Sequence, residues 1–146
     1  MTNLYKEMLE KGLEYQDFIT DILLSEIGIS LSTYSSKKYQ YSVGENKQGI
    51  EIKFDDRYKE TGNLYIEIKE KSNATNPNYV DSGIYRSDNT WLYVIGDYTE
   101  VFIFSKKQLI MMHKKGIFKE VTTPTSIGFL VPRAKAVKYS IKKIDL

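Results

Sequence analysis

The most regular alternation of apolar and polar positions lies in residues 49–71, GIEIKFDDRYKETGNLYIEIKEK. Ile50, Ile52 and Phe54 alternate with Glu51, Lys53 and Asp55. Further on, Leu64, Ile66 and Ile68 alternate with Tyr65, Glu67 and Lys69. A strand sends successive side chains to opposite faces, so each segment predicts a strand with one apolar and one charged face. The connection at 56–63 contains Thr61-Gly62-Asn63, which is turn chemistry, and it predicts an antiparallel hairpin.

Helical spacing dominates the start of the chain. Leu4, Met8, Phe18, Ile22 and Leu23 predict a helix over Asn3–Ile27, capped by Asn3 and ended by Gly28. Gly12 weakens its middle by roughly 1 kcal/mol relative to Ala. A first strand is expected near 38–43, and 72–81 reads as an Asn-rich loop. Residues 79–85 predict a short helix or an irregular crossing, and 91–95 and 101–104 predict strands turning at Gly96-Asp97. Ser105 caps a helix running through Met112, with Leu109 and Met112 inward. A short apolar strand at 127–131 precedes Pro132, which opens a helix to Tyr139. The tail, with Ile141 and Ile144 among lysines, predicts an edge strand. The order predicts an α/β fold: a mixed central β-sheet with flanking helices.

At 146 residues the chain predicts a single domain over 1–146. The net charge of +2 does not by itself argue for nucleic acid. The absence of cysteine excludes disulfides, thiolate zinc sites and a cysteine nucleophile. The single histidine, His113, reads as a surface residue at a helix end. Hydrolytic chemistry would then fall to carboxylates, Lys, Ser, Thr or Tyr. No apolar run approaches the roughly 18 residues of a membrane span, and no signal-peptide core opens the chain, so a cytoplasmic protein is expected.

In a hairpin with Lys53 opposite Glu67, Asp55 faces Tyr65 and Glu51 faces Lys69, and all six share a face. Glu51, Asp55 and Glu67 then fall within about 5–8 Å of one another. Carboxylates that close repel unless lysines or a cation lie between them, and an incomplete set of hard oxygen ligands suits Mg²⁺. The plain alternative is a solvated face on which Lys and Glu merely pair. Glu14, four residues before Phe18 and eight before Ile22, is expected on the apolar stripe of the first helix, where a carboxylate needs a partner. Either a sheet lysine or a metal would serve.

These elements resemble the PD-(D/E)XK nuclease superfamily, particularly its phage-type members. The shared pattern is a helix with an acidic residue, a strand, then a hairpin with an Asp on one arm and Glu-x-Lys on the other. Here those are Glu14, Asp55 and Glu67-Ile68-Lys69. Residues 51–55 (EIKFD), 61–67 (TGNLYIE), 82–84 and 87–88 carry the phage-type likeness. No Pro precedes Asp55, and Glu51-Ile52-Lys53 is a second Glu-x-Lys.

The resemblance implies a restriction-endonuclease-like core (α-β-β-β-α-β) and a Mg²⁺-dependent DNA endonuclease, with Mn²⁺ able to substitute. It would process phage or branched DNA such as Holliday junctions, on duplex or branched substrate. Asp55, Glu67, Glu51 and Glu14 would form the metal shell. The working lysine is Lys69 or Lys53. A homodimer is compatible, and a membrane partner is not expected.

Lys106-Lys107, Lys114-Lys115, Arg133, Lys135, Lys138 and Lys142-Lys143 make the second half basic, either as a DNA track or as solvated faces. Tyr39, Tyr41, Tyr58 and Tyr65 either stack on unpaired bases or are ordinary sheet residues. Ser82-Gly83 suits a phosphate-binding turn or a plain one, and Trp91 is expected in the core. The alternative to an enzyme is a non-catalytic module of the same fold that binds nucleic acid or protein.

Overall fold

The two charged strands do not pair with each other. The computed structural model describes residues 3–32 and 42–146, with Leu4 and Tyr5 described by backbone alone. Strand β1 (Ile50–Phe54) runs parallel to β4 (Leu92–Gly96), with Glu51 level with Tyr93 and Lys53 with Ile95. Strand β2 (Asn63–Glu70) lies in another sheet, antiparallel to β7 (Ser126–Pro132) and to the two-residue β3 (Val80–Asp81). The expected hairpin register, with Lys53 opposite Glu67, is therefore corrected. The connection between the strands includes a short helix, α2 (Tyr58–Thr61), and carries the chain from one sheet to the other.

The first sheet has the order β1-β4-β5-β8, with β5 at Glu100–Ser105 and β8 at Lys142–Asp145. The second has the order β3-β2-β7-β6, with β6 at Glu120–Thr122. The expectation of one central mixed sheet thus gives way to two sheets in a mixed α/β fold. Helix α1 (Asn3–Ile27) covers the first sheet: Tyr15, Ile19 and Leu23 pack with Ile50, Ile52, Leu92, Val94, Val101 and Ile103. The residues that alternate with these, Tyr93, Ile95, Phe102 and Phe104, join Leu64, Ile66, Phe129 and Val131 of the second sheet in another cluster. Leu109 and Met112 of α3 (Lys106–Lys114) and Ala136 of α4 (Arg133–Tyr139) complete it. The pleat thus makes three layers: helix, sheet, sheet.

The helices at Ser105 and Pro132 begin as the sequence predicts, and Ser105 Oγ accepts from the Gln108 amide at 3.0 Å. The short helix expected over 79–85 is a single 3₁₀ turn, Gly83–Tyr85. The strand expected near 38–43 lies outside the described residues up to Tyr41, and Ser42 and Val43 are not strand. Trp91 is exposed rather than buried, because its indole N–H reaches out to the Gln48 carbonyl at 2.7 Å. His113 is half-buried, sharing a 2.6 Å hydrogen bond between its Nδ1 and the Tyr85 hydroxyl and stacking on Phe129. No helix among the described residues is long and apolar enough to cross a membrane.

One polar network ties α2, β5 and α4 together. Glu100, only 8% exposed, accepts from the buried Tyr58 hydroxyl at 2.8 Å and from Arg133 Nε at 2.6 Å and Nη2 at 3.1 Å. The Arg133 hydrogen bonds hold the Glu100 carboxyl below its usual range. Its pairing therefore stabilises the fold above that range, near pH 4.3, and the contribution is lost as pH falls through it. Glu100→Ala is expected to cost about 1–3 kcal/mol, chiefly by leaving the Tyr58 hydroxyl unpaired. Urea denaturation at pH 7 and pH 3 measures this, with the gap to wild type narrowing at the lower pH.

Candidate active site

Because Ile50 and Ile52 face α1, the alternate residues of β1 face away from it, and Glu51 is buried at 3% exposure. Its Oε1 accepts from Lys53 Nζ at 2.9 Å, and its Oε2 makes no close hydrogen bond among the described residues, with the Tyr93 hydroxyl acting on Glu51 nearby. Leaving such an oxygen dry and unpaired is expensive. Tyr93 sits beside Glu51 on β4, and burial, then the Glu51 charge, raises its hydroxyl far above the ordinary phenol range.

Two further carboxylates act on Lys53. Burial alone would lower the Lys53 ammonium, but Glu51, then Glu45 and Glu67, outweigh it and hold the lysine charged. Its side chain is 45% exposed, so the ammonium is also reached by water. Glu45 lies in the turn before β1, where Asn46 fixes the chain by bonding both the amide and the carbonyl of Ile50, at 3.0 and 2.6 Å. Gln16 of α1 reaches Glu45 Oε2 at 3.4 Å. Burial, then the like charge of Glu51, pushes the Glu45 carboxyl up to about 7, with Lys53 only partly offsetting them.

Glu67 is brought in by its own strand. A β-bulge at Ile68 interrupts the β2–β7 register between Glu67 and Lys69. Ser82 Oγ donates to Glu67 Oε2 at 3.0 Å, and the Ser82 amide bonds the Ile68 carbonyl at 3.0 Å. Gly83, at φ +55°, lies so close to the Glu67 carbonyl that a Cβ there would collide with it. Burial raises the Glu67 carboxyl, while Ser82 and Lys53 pull it back. The Ser82-Gly83 turn, open in the sequence to a phosphate-binding or a plain reading, thus grips Glu67, with its Ser82 amide bonded to the Ile68 carbonyl.

Two of the expected site residues, Glu14 and Lys69, are exposed, and a third, Asp55, lines the cleft but is bonded to backbone. Glu14 is exposed; the buried stripe of α1 is Tyr15-Ile19-Leu23, and Glu14 lies about 100° round the helix from Tyr15. Lys69 is exposed beyond the bulge, leaving Lys53 as the lysine that acts on Glu67. Asp55 spends its oxygens on backbone: Oδ1 accepts from the Arg57 amide at 3.2 Å and Oδ2 from the Tyr65 amide at 2.8 Å. It buttons the end of β1 to β2, and burial holds its carboxyl above the usual range despite these bonds.

The charges of Glu51 and Glu67 both act on Lys53, and Glu45, Gln16 and Ser82 join them, which strand alternation could not reveal. Glu45 lies in a turn, outside any periodic pattern, and the Gly44-Glu45-Asn46 turn chemistry was its only signal. Among the described residues, no three His, Asp or Glu side chains are disposed to hold a metal ion as they lie.

Beside this cluster opens a cleft of about 590 Å³. Lys53, Asp55 and Glu67 line one part of it, and Tyr65, Val121 and Leu130 another. The arrangement offers carboxylate oxygens, two cations in Lys53 and Arg57, and apolar walls around one cleft. Compared with protein-family models, curated proteins and solved structures, the chain matches none.

The raised Glu45 carboxyl sets a pH dependence. Between the unfolded carboxyl range and about 7, the folded protein holds a proton that the unfolded chain has lost. Stability from this group is full below that range and falls as pH rises through 7. Glu45→Gln is expected to match wild type near pH 4 and to exceed it by about 2 kcal/mol at pH 8. Denaturant titrations across pH 4–8 check both ends.

Proposed function

We propose that the chain hydrolyses DNA phosphodiester bonds with a divalent cation, Mg²⁺ or Mn²⁺, as a nuclease of the PD-(D/E)XK type with a restriction-endonuclease-like core. The observation that carries this reading is the set of three carboxylates, Glu45, Glu51 and Glu67, acting on one lysine, Lys53, which lines a cleft together with Glu67. The donor chemistry fits a hard cation: anionic oxygens, no sulfur, and a buried Glu51 Oε2 without a close hydrogen bond among the described residues. Glu51 and Glu67 would hold the cation. When bound it would polarise the phosphodiester and lower the pKa of water.

The remaining work falls to the chain's own groups. Lys53 stabilises the negative charge that builds on the phosphate oxygens as water adds to phosphorus and an ester P–O bond breaks. Glu45, with a carboxyl poised near neutrality, takes the proton that the water loses. Ser82 keeps Glu67 oriented, and Asp55 holds the two strands in place. Glu14 and Lys69 have no part in this scheme.

A second reading has its own support. The 2.9 Å ion pair of Lys53 with Glu51 is what a non-catalytic surface that binds nucleic acid or protein would also contain. Cleavage of plasmid and branched DNA with Mg²⁺, with Mn²⁺ and with EDTA separates the two. Wild type is expected to cut only with metal, Glu67→Gln to lose activity, and Lys53→Met to fall by about 100- to 1000-fold. Full activity in Glu67→Gln, or in EDTA, would refute the enzymatic reading. Titration calorimetry with Mg²⁺ adds an activity-free measure, its heat vanishing in Glu51→Gln.

A further inference from the structure

We propose that the cleft beside Glu67 and Lys53 receives one unpaired nucleobase, so that the preferred substrate is DNA with an unpaired nucleotide in the strand to be cut. This rests on the phosphodiester reading for the role of the neighbouring carboxylates, but the base site is built from other residues. The recess has the size of small-ligand sites, which run to several hundred cubic ångströms with mostly apolar walls and few polar groups. Its walls include Tyr65, Ile66, Val121 and Leu130, with Asn63 as a polar group able to meet a base edge.

Tyr65 is the platform. Its hydroxyl is tied to Ser126 Oγ at 2.7 Å, and Ser126 Oγ is in turn 2.8 Å from Thr123 Oγ1. Its ring rests on Gly128, where a Cβ would come within 2.5 Å of it. A ring held at its polar end and backed by a glycine is pre-ordered for stacking, and base–aromatic stacking is tolerant of sequence. Both neighbours in the second sheet, Ser126 and Gly128, thus fix this one ring.

The charges at the mouth suit a strand that enters there. Arg57 and Lys53 can meet flanking phosphates, whereas Asp55 is committed to two backbone amides. Asp56 and Glu67 also line the recess, and Arg57 and Lys53 offset their repulsion of phosphate. A base inside a duplex is stacked and must be extruded at a cost of a few kcal/mol, which an unpaired base is spared.

The test uses 2-aminopurine, a fluorescent base, placed at a single-nucleotide bulge or in a fully paired duplex, with binding followed in EDTA. The expected result is quenching on wild type for the bulge and none for the paired DNA. Tyr65→Leu should lose the quench and bind the bulge about tenfold more weakly. Tyr65→Phe should keep the quench. Absent quenching on wild type, or equal quenching in Tyr65→Leu, overturns the proposal. So does a dimer in solution that Tyr65→Leu dissolves, since the cleft would then hold a second copy. Cleavage in Mg²⁺ tells the two ideas apart. Cutting of every DNA alike without quenching sinks the base site alone. Quenching that depends on Tyr65, with no cutting of any DNA, sinks the nuclease reading and leaves the base site standing.

Discussion

A carboxylate facing away from the covering helix of an edge strand is the constraint on which the rest of this molecule depends. Glu51 sits in a strand whose apolar residues are claimed by α1, so the pleat turns its charge away from the helix, where it is buried. Burying an ionised group without compensation is prohibitive. Lys53, two residues on and therefore on the same face, supplies one partner. One partner does not satisfy two oxygens, and the remaining oxygen together with Glu45 and Glu67 leaves the region rich in negative charge. A fold optimised for stability alone would place an apolar residue at 51. Residues that break a local packing rule without stabilising the fold mark functional sites.

The elements were largely legible because they are local. Helix α1, the strands β1, β2, β4, β5 and β7, the Ser105 cap and the Pro132 start all follow from spacing and capping within a few residues. Pairing is not local. The short connection between β1 and β2 invited a hairpin, since neighbouring strands usually pair. Yet β1 takes β4, some forty residues later, as its partner, and parallel pairing leaves no mark in the turn that follows. Alternation predicts a strand's two faces and is blind to which sheet it joins. The same blindness explains Trp91: its size argued for burial, but its indole N–H found the Gln48 carbonyl at the surface.

For the site, the same distinction decides what could be read. Glu51, Lys53 and Glu67 carry the alternation signal and meet, though by opposing two sheets rather than two arms of a hairpin. Glu45 carries no periodic signal and is delivered by Asn46, whose side chain clasps Ile50. Lys69 had the better motif position, but an extra residue in β2 breaks its register with Glu67, which no propensity scale anticipates. Glu14 fails through a one-residue error in phase: the helix buries Tyr15, whose hydroxyl reaches the Asp97 carbonyl at 2.9 Å. A tyrosine that can bury its ring and still satisfy its oxygen outcompetes a carboxylate for the inward position.

The supporting residues show how such a cluster survives. Asp55 and the Ser82-Gly83 turn look like chemical groups in the sequence, and both are spent on geometry. Asp55 joins the end of one sheet to the start of a strand in the other, so the sheet bearing Glu51 and the sheet bearing Glu67 cannot drift apart independently. Gly83 lets the turn close on the Glu67 carbonyl, which fixes the approach of that side chain. Mutual repulsion among Glu45, Glu51 and Glu67 would otherwise rotate these side chains toward water. Held from three directions, they are relieved through Lys53, through protonation of Glu45, or through a cation from solution, with Arg86 and the Ile52 amide also offsetting Glu45. The first is present in the structure, the second follows from the raised carboxyl, and the third is the step that would turn a strained cluster into a catalytic one.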